Sequence, residues 1–464
     1  MGSPAALVPV PPEARRLGAA FAAAGRQLHL VGGTVRDALM GRPDDDLDFT
    51  TDARPEQVLA LVEALAAATW TTGIEFGTVG ARLGTRDCEI TTFRADRYDR
   101  VSRHPEVAYG TVLVEDLRRR DFTMNAMALS VTGDGLFSDP FGGLADLARG
   151  VLRTPGRPED SFADDPLRML RATRFVATLG VRVDDAVQAA MAAMAGELAR
   201  IATERVQAEL TKLLLGALPR AGLELLVDTG LAEIVLPELP ALRMAADEHG
   251  QHKDVYAHTL QVLDQAIDRE DEPDLVLRWA ALLHDIGKPA TRAFGPGARV
   301  SFHHHEVVGA RLARKRLREL RYGKQLVEDV AQLVFLHLRF YGYRTGEWTD
   351  SAVRRYVVDA GPLLARLHRL VRSDCTTRNA RKAAALSAAY DTLEERIAAL
   401  QAKEELAAIR PDLDGNEIMR VLGIEAGPLV GRAYQHLLAL RMEEGPLGPD
   451  RAVAELTRWY AQQG

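Results

Sequence analysis

Strand-type hydrophobic runs stop near residue 150, and the rest of the chain carries the periodicity of helices. Between residues 28 and 150, LHLVGG (28–33), LDFTT (47–51), TVGARLG (78–84) and CEITTFR (88–94) read as strands, with PEQVLALVEALAAATW (55–70) as a helix among them. The polar connection Thr85-Arg86-Asp87 suits a hairpin between the last two strands. From about Asp165 the pattern turns helical and stays so to the end, broken by Pro and Gly at Leu218-Pro219, Leu236-Pro237, Gly295-Pro296-Gly297 and Gly361-Pro362. This predicts an α+β module followed by helical ones, and 464 residues at roughly 100 to 200 per domain hold three or four. The expected boundaries divide the chain into 1–150, 151–245, 246–405 and 406–464.

Composition narrows the class. With 47% hydrophobic and 27% charged residues the chain reads as globular. No apolar run reaches the roughly 18 residues of a membrane span, and the opening MGSPAALVPVPPEARR has no basic stretch followed by an apolar one, so no membrane association and a cytoplasmic location are expected. Cys88 and Cys375 lie far apart without a CxxC pair, which points to packing residues rather than a disulfide or zinc site. A net charge of −7 argues against indiscriminate coating of nucleic acid, while clustered Lys and Arg still permit RNA binding.

The most informative stretch is LVGGTVRD (30–37) followed by DDDLDFT (44–50). In a strand, residues two apart point to one face, so Asp46 and Asp48 present two carboxylates to one point. Such a hard-oxygen pair suits Mg²⁺ together with the phosphates of a nucleotide. Gly32 and Gly33 sit where a strand ends and a helix begins, so bare backbone N–H groups can meet a triphosphate, with Arg36 one turn further on. The chemistry implied is nucleotidyl transfer assisted by two metal ions. A solvated acidic turn beside a tight bend is the alternative for either feature taken alone.

Four motifs in this order, GGTVRD, DLD, RRRDFTMNA (118–126) and DDPLRMLRATRF (164–175), resemble those of class II CCA-adding enzymes and bacterial poly(A) polymerases. The resemblance extends to ERVQAELTKLL (204–214) and DGNEIMRVLGIEAGPLVG (414–431). It implies a polymerase-β-type nucleotidyltransferase head with a small mixed sheet, then an all-α neck, an HD-type body and a tail. Carried over by position, it assigns Asp46 and Asp48 to catalysis and Mg²⁺, Gly33 and Arg36 to the nucleotide phosphates, Arg120 to the nucleotide, and Asp121 and Asn125 to its sugar. It implies tRNA as acceptor with CTP and ATP as substrates.

Asp165 and Arg168 are three apart in a helical run and share a face. Cytosine and adenine both offer an exocyclic amino donor beside a ring-nitrogen acceptor, so a carboxylate and a guanidinium admit both and reject guanine and uracil. The resemblance gives the same two positions this template role and adds Arg171 and Arg174 as nucleotide or phosphate contacts. Asp164 stands where the family usually has Glu, which questions any bracing role there. Glu89 is either a third metal carboxylate or an ordinary exposed strand residue. The segment from Arg94 to Val107 resembles a loop that relatives use in switching from C to A addition.

A second centre is suggested by His258, His284, Asp285, His305, His337 and Asp374, which follow the order of an HD-type phosphohydrolase. Mixed imidazole and carboxylate ligands suit Mn²⁺, Ni²⁺ or Fe²⁺. His303 and His304 leave the identity of the third ligand open, and hydrolysis itself is not decided by the fold. Arg311, Arg314, Lys315, Arg318 and Arg321 fall on one helix side opposite Val307, Ala310, Ala313, Leu317 and Leu320, as an RNA-tracking face or as a solvated one. Poly(A) synthesis is the nearest alternative function, but such enzymes carry a GRRFxLxHV-like strand where this chain has GIEFGTVGAR (73–82). A metal-dependent HD phosphohydrolase acting on RNA ends is the alternative from another class.

Overall fold

The computed structural model describes residues 4–42, 46–95, 108–133, 135–244, 254–294, 300–340, 348–377, 379–404 and 410–463. The chain forms two units, Met1–Val235 and Leu236–Gly464.

In the first unit, α1 (Pro12–Ala23) leads into β1 (Leu28–Val31), α2 (Gly32–Leu39), β2 (Leu47–Thr51), α3 (Pro55–Glu63), β3 (Ala68–Trp70), β4 (Thr78–Leu83) and β5 (Arg86–Thr92). There follow the short pair β6 (Arg94–Ala95) and β7 (Ala108–Tyr109), then α4 (Leu113–Arg118), β8 (Ala128–Ser130), β9 (Phe137–Ser138) and α5 (Gly143–Arg149). Seven strands make one mixed sheet in the order β3-β4-β5-β2-β1-β8-β9. Within it β2 and β5 run parallel and the other neighbours antiparallel.

Strand alternation creates two unlike faces. Leu28, Leu30, Leu47, Phe49, Cys88 and Ile90 turn into one core with Leu17 and Phe21 of α1 and Val58 and Val62 of α3. Val31 belongs instead to a small cluster with Leu117, Ala126 and Ala128. Asp48, Thr50, Glu89 and Thr91 alternate with core residues and therefore share the side away from α1 and α3.

Two local expectations need correcting. The helix anticipated over residues 55–70 ends at Glu63, and Ala68–Trp70 form the edge strand β3. Trp70 pairs with Gly80 in the antiparallel register, and this cross-strand partner overrides the helical period of the preceding residues. The hairpin closes at Gly84-Thr85, because Leu83 and Arg86 are already paired and Gly84 takes φ +66°.

Beyond the sheet the unit continues through β10 (Val151–Leu152), α6 (Pro158–Asp164), α7 (Leu167–Leu179), β11 (Arg182–Val183), α8 (Asp185–Met194), α9 (Thr203–Leu214), α10 (Pro219–Asp228) and α11 (Ala232–Val235). Buried Leu170, Thr173 and Ala177 lie on α7, which packs on α9 and α10. The parallel pair β10–β11 interrupts a stretch expected to be wholly helical.

The second unit runs through α12 (Val255–Ile267), α13 (Leu275–Leu283), α14 (Lys288–Thr291), the antiparallel pair β12 (Arg292–Phe294) and β13 (Val300–Phe302), α15 (His305–Glu319), α16 (Lys324–Leu336), α17 (Asp350–Ala360), α18 (Leu364–Ser373) and α19 (Ala380–Glu404). It ends in α20 (Gly415–Leu422), α21 (Pro428–Glu444) and α22 (Pro449–Ala461), joined by a core that includes Ile418, Leu437 and Leu456. Asp414 starts α20 with a reciprocal capping box: its carboxylate accepts from Glu417 N–H and its own N–H donates to the Glu417 carboxylate, each at 2.8 Å. The basic side of α15 is partly neutralised. Arg314 and Arg318 each lie 2.7 Å from Glu328 of α16, and Lys315 lies 3.9 Å from Glu319. This weakens its reading as a bare RNA track.

Candidate functional site

The first site is built on the sheet face that carries Asp48. Its register partner across the parallel strands β2 and β5 is Glu89, which places two carboxyl-bearing residues side by side. Asp46 precedes the first residue of β2 and is exposed, so the strand pleat does not set its direction, contrary to the expectation of two residues within one strand. Thr34 joins the two instead. Its hydroxyl accepts from Asp48 N–H at 2.9 Å and donates to the Asp46 carbonyl at 3.4 Å. The carboxylates thus belong to a segment tied to the first turn of α2. Asp44 of the acidic run lies outside the described residues, as does most of the loop toward Val107.

Gly32, rather than Gly33, is the glycine this geometry requires. It adopts φ +65°, and a Cβ there would stand 3.1 Å from Arg120 Nη1 and 3.5 Å from Asp48 Oδ2. A Cβ at Gly33 would meet Arg36 Nη2 at 3.6 Å. Arg120 lies 3.5 Å from Asp116, whose carboxylate accepts from Thr50 at 3.0 Å. A cavity of about 250 Å³ opens here, lined by Thr91, Asp116, Arg119, Arg120 and Arg168.

Arg36, Asn125, Asp121, Arg171 and Arg174 form one polar chain. Arg36 donates to both oxygens of Asp37 at 2.8 and 2.6 Å and to Asn125 Oδ1 at 2.7 Å. Asn125 donates to Asp121 at 2.9 Å, and Arg171 grips the other Asp121 oxygen at 2.8 and 2.6 Å. Burial alone would raise the Asp121 carboxyl, but the Arg171 charge and the Asn125 and Arg171 hydrogen bonds bring it down to about 2. Burial would likewise lower Arg171, and the Asp121 charge and hydrogen bond together with the Glu209 and Asp165 charges reverse it. Arg174 pairs with buried Glu209 of α9 at 2.9 Å, off hydrogen-bonding alignment, and burial leaves its guanidinium below the ordinary value. Phe175 is the common floor, with Arg174, Arg36 and Arg171 at 4.2, 5.1 and 5.7 Å from its ring.

Asp165 and Arg168 are brought near each other, though not as two residues of one helix. Asp165 is extended (φ −145°, ψ 99°) at the end of α6, because Pro166 disfavours helical backbone in the residue before it. Its carboxylate accepts from Leu167 N–H at 3.1 Å and from Arg205 of α9 at 2.8 Å. Arg168 donates to Ser161 Oγ at 2.7 Å and to the Arg119 carbonyl at 2.5 Å. Burial lowers its pKa. Sequence reasoning missed Thr34, Asp37, Arg205 and Glu209. Thr34 and Asp37 are visible as members of GGTVRD. Arg205 and Glu209 reach partners some 35 to 40 residues away, a pairing that spacing cannot reveal.

In the second unit all six anticipated residues meet. His258 Nε2 is 3.0 Å from Asp374 and 3.5 Å from Asp285, His284 Nε2 is 3.2 Å from Asp285, and His305 Nε2 is 3.3 Å from the other Asp285 oxygen. The His337 ring lies 5.3 Å from that of His284 and 5.4 Å from that of His305. Two groups able to hold a metal ion result, His258–His284–Asp285 and Asp285–His305–His337, each with its donor atoms within 4.8 Å of one another.

Each imidazole is steered through Nδ1: His258 to Thr376 Oγ1, His284 to the Ala281 carbonyl, His305 to the Phe302 carbonyl and His337 to the Val334 carbonyl, at 2.6 to 2.9 Å. This leaves Nε2 facing inward, as metal-ligating imidazoles are held. His337 Nε2 is buried and has no hydrogen-bond partner among the described residues. Burial and the His284 charge lower His337 to about 4, so it is neutral and able to ligate. His305 is the residue in the cluster, whereas His303 and His304 are exposed. Gly287 makes the meeting possible, since a Cβ there would come within 2.1 Å of the His305 carbonyl oxygen. Lys288 donates to Asp285 at 2.6 Å.

Comparison with known proteins matches three segments of the chain to family models. Residues 28–153 match the poly A polymerase head domain, 180–242 a probable RNA and SrmB-binding site of polymerase A, and 255–400 the HD domain. An A-adding tRNA nucleotidyltransferase of Deinococcus radiodurans is 37% identical over 439 residues, covering 93% of this chain and 95% of that protein. A CCA-adding enzyme of Lactiplantibacillus plantarum is 43% identical over 210 residues, 45% of this chain and 50% of that protein. The crystal structure of the Bacillus stearothermophilus CCA-adding enzyme in complex with CTP superposes with a TM-score of 0.68 at 26% identity, over 100% of this chain and 99% of that one. The chain belongs to the tRNA nucleotidyltransferase family, with a poly(A) polymerase-type head and an HD domain.

Proposed function

We propose that this protein adds CCA to the 3′ end of tRNA from CTP and ATP, without a nucleic-acid template and with release of pyrophosphate. The observation that carries the reading is the pairing of Asp48 with Glu89 beside Gly32 and a cavity walled by Arg119, Arg120 and Arg168. An all-oxygen donor set fits Mg²⁺, which when bound at Asp46 and Asp48 would activate the 3′-hydroxyl and neutralise the leaving group. Gly32 and Gly33 leave backbone room for phosphates at the start of α2, with Arg36 and Arg120 supplying positive charge. Asp121 and Asn125 face the sugar, Asp165 and Arg168 read the base, and Arg171 and Arg174 hold the nucleotide's remaining charge. Residues 1–150 act as catalytic head, 151–245 as neck, 246–405 as HD body and 406–464 as a tRNA-binding tail. A reaction on tRNA places the protein in the cytoplasm, and no helix among the described residues is long and apolar enough to cross a membrane.

The end-to-end match to an A-adding enzyme favours a second reading, in which only the terminal A is added. Incubation with tRNAs lacking CCA, CA or A, each NTP offered separately, decides between them. A ladder ending after CCA supports the first reading. Extension of only the CC-ended tRNA by ATP supports the second, and a long A run on any RNA end would point to poly(A) synthesis.

In the HD domain the inward Nε2 atoms and Asp285 fit a transition metal such as Mn²⁺, Ni²⁺ or Fe²⁺. Hydrolysis of phosphate esters at RNA ends is the activity this ligand set supports.

A further inference from the structure

We propose that a second cationic pocket, with Arg42 and Lys212 as its dedicated ligands, receives the pyrophosphate leaving group; the proposal rests on the nucleotidyl-transfer reading above. The pocket has a volume of about 530 Å³ and is bounded by Arg36, Asp37, Arg42, Arg174, Phe175 and Lys212, with Leu179 and Leu215 as an apolar wall. Four of these side chains are cationic and one is a carboxylate. That carboxylate is used up, since both oxygens of Asp37 accept from Arg36 at 2.8 and 2.6 Å. Arg174 in turn is paired with Glu209. Arg42 and Lys212 are exposed and have no ion-pair partner among the described residues, although they come from chain segments 170 residues apart. Arg42 is set in place through its backbone, whose N–H donates to the Asp37 carbonyl at 2.8 Å. Two cations without an ion-pair partner among the described residues, converging on one pocket, call for an anion from outside.

The order of groups along α2 identifies that anion. Gly32 faces Asp48 and Arg120, Gly33 faces Arg36, and Arg36 borders the pocket. With the α-phosphate at the carboxylates, the β- and γ-phosphates extend past the two glycines toward Arg36. In an in-line displacement the 3′-oxygen bonds to the α-phosphorus while the α–β phosphoanhydride bond breaks. The electron pair of that bond leaves with pyrophosphate, on the side away from the attacking RNA, and the 3′-hydroxyl proton is released. The product carries more negative charge than the same two phosphates did in the triphosphate, so its attraction to Arg42 and Lys212 increases at the moment of cleavage.

The test compares wild type with the Arg42→Ala/Lys212→Ala double variant and with Lys212→Arg, using inorganic pyrophosphate as the probe. Product inhibition is measured during incorporation, and direct binding by calorimetry in the absence of turnover. The inhibition constant for pyrophosphate should rise roughly tenfold in the double variant and stay near wild type in Lys212→Arg, with KM for the RNA acceptor unchanged. An unchanged inhibition constant overturns the proposal, and an unchanged constant with a raised RNA KM reassigns the pocket to acceptor phosphates. If wild type incorporates no nucleotide, the transferase reading itself fails, while calorimetry still reports on the pocket.

Discussion

Asp48 on β2 and Glu89 on β5 are direct register partners in two parallel strands, on the sheet side away from α1 and α3. If Asp48 holds Mg²⁺ as proposed, Glu89 stands where it would supply a third carboxylate to the same ion. Asp48→Asn should lower incorporation in Mg²⁺ by more than about 100-fold, and Glu89→Gln by roughly 10- to 100-fold, with circular dichroism unchanged. Near-normal turnover of Glu89→Gln would return it to a surface role.

Base selection gives a second prediction. Arg205 and Leu167 N–H hold Asp165, while Ser161 and the Arg119 carbonyl hold Arg168, so both side chains are preset before any nucleotide arrives. Removing either by alanine substitution should cost roughly 1 to 3 kcal/mol of discrimination, about 5- to 150-fold, with UTP and GTP incorporated relatively more often. The measurement is kcat/KM for all four NTPs on a tRNA ending in CC. A uniform fall that preserves the nucleotide preference would make these residues structural.

What could be read in the sequence divides along physical lines. Strands carrying Leu28–Val31 and Leu47–Thr51, and the convergence of the six residues of the HD cluster, were legible because short motifs keep chemistry and backbone together. The extended backbone of Asp165 was signalled by Pro166 and yet overridden in reading by the helical period on both sides. Thr34 clamping Asp46 and Asp48, and Glu209 meeting Arg174, were not legible as pairs. Their partners are chosen by tertiary packing, which leaves no period in the sequence.

Stability should carry a pH signature from Asp121. Its folded pKa of about 2 lies below the unfolded value near 3.9, so the ionised form stabilises the fold. That contribution, about 2 kcal/mol, is fully present above the unfolded pKa and is lost as pH falls through the folded one. Asp121→Asn should therefore unfold more readily than wild type at pH 7, and the difference should shrink between about pH 4 and pH 2. Denaturant titrations at several pH values check this, and a gap independent of pH would remove the Arg171–Asp121 pair as its cause.

The HD cluster offers the cleanest separation of activities, because its ligands lie in the second unit and the proposed transfer site lies in the first. Asp285 belongs to both ligand sets and His284 to one, so His284→Ala with Asp285→Ala removes ligands from both. Lys288 would lose its partner Asp285 as well, and with two buried groups gone the inward Nε2 atoms of His258, His305 and His337 would no longer share a carboxylate. The double variant should lose transition metal detectable by elemental analysis and any metal-stimulated 2′,3′-cyclic phosphodiesterase activity. Nucleotide incorporation into tRNA should persist, since Asp46, Asp48 and Glu89 are untouched. Metal content and hydrolysis equal to wild type would show that the convergence of these imidazoles is a packing arrangement, and loss of incorporation in a folded variant would tie the two units together functionally.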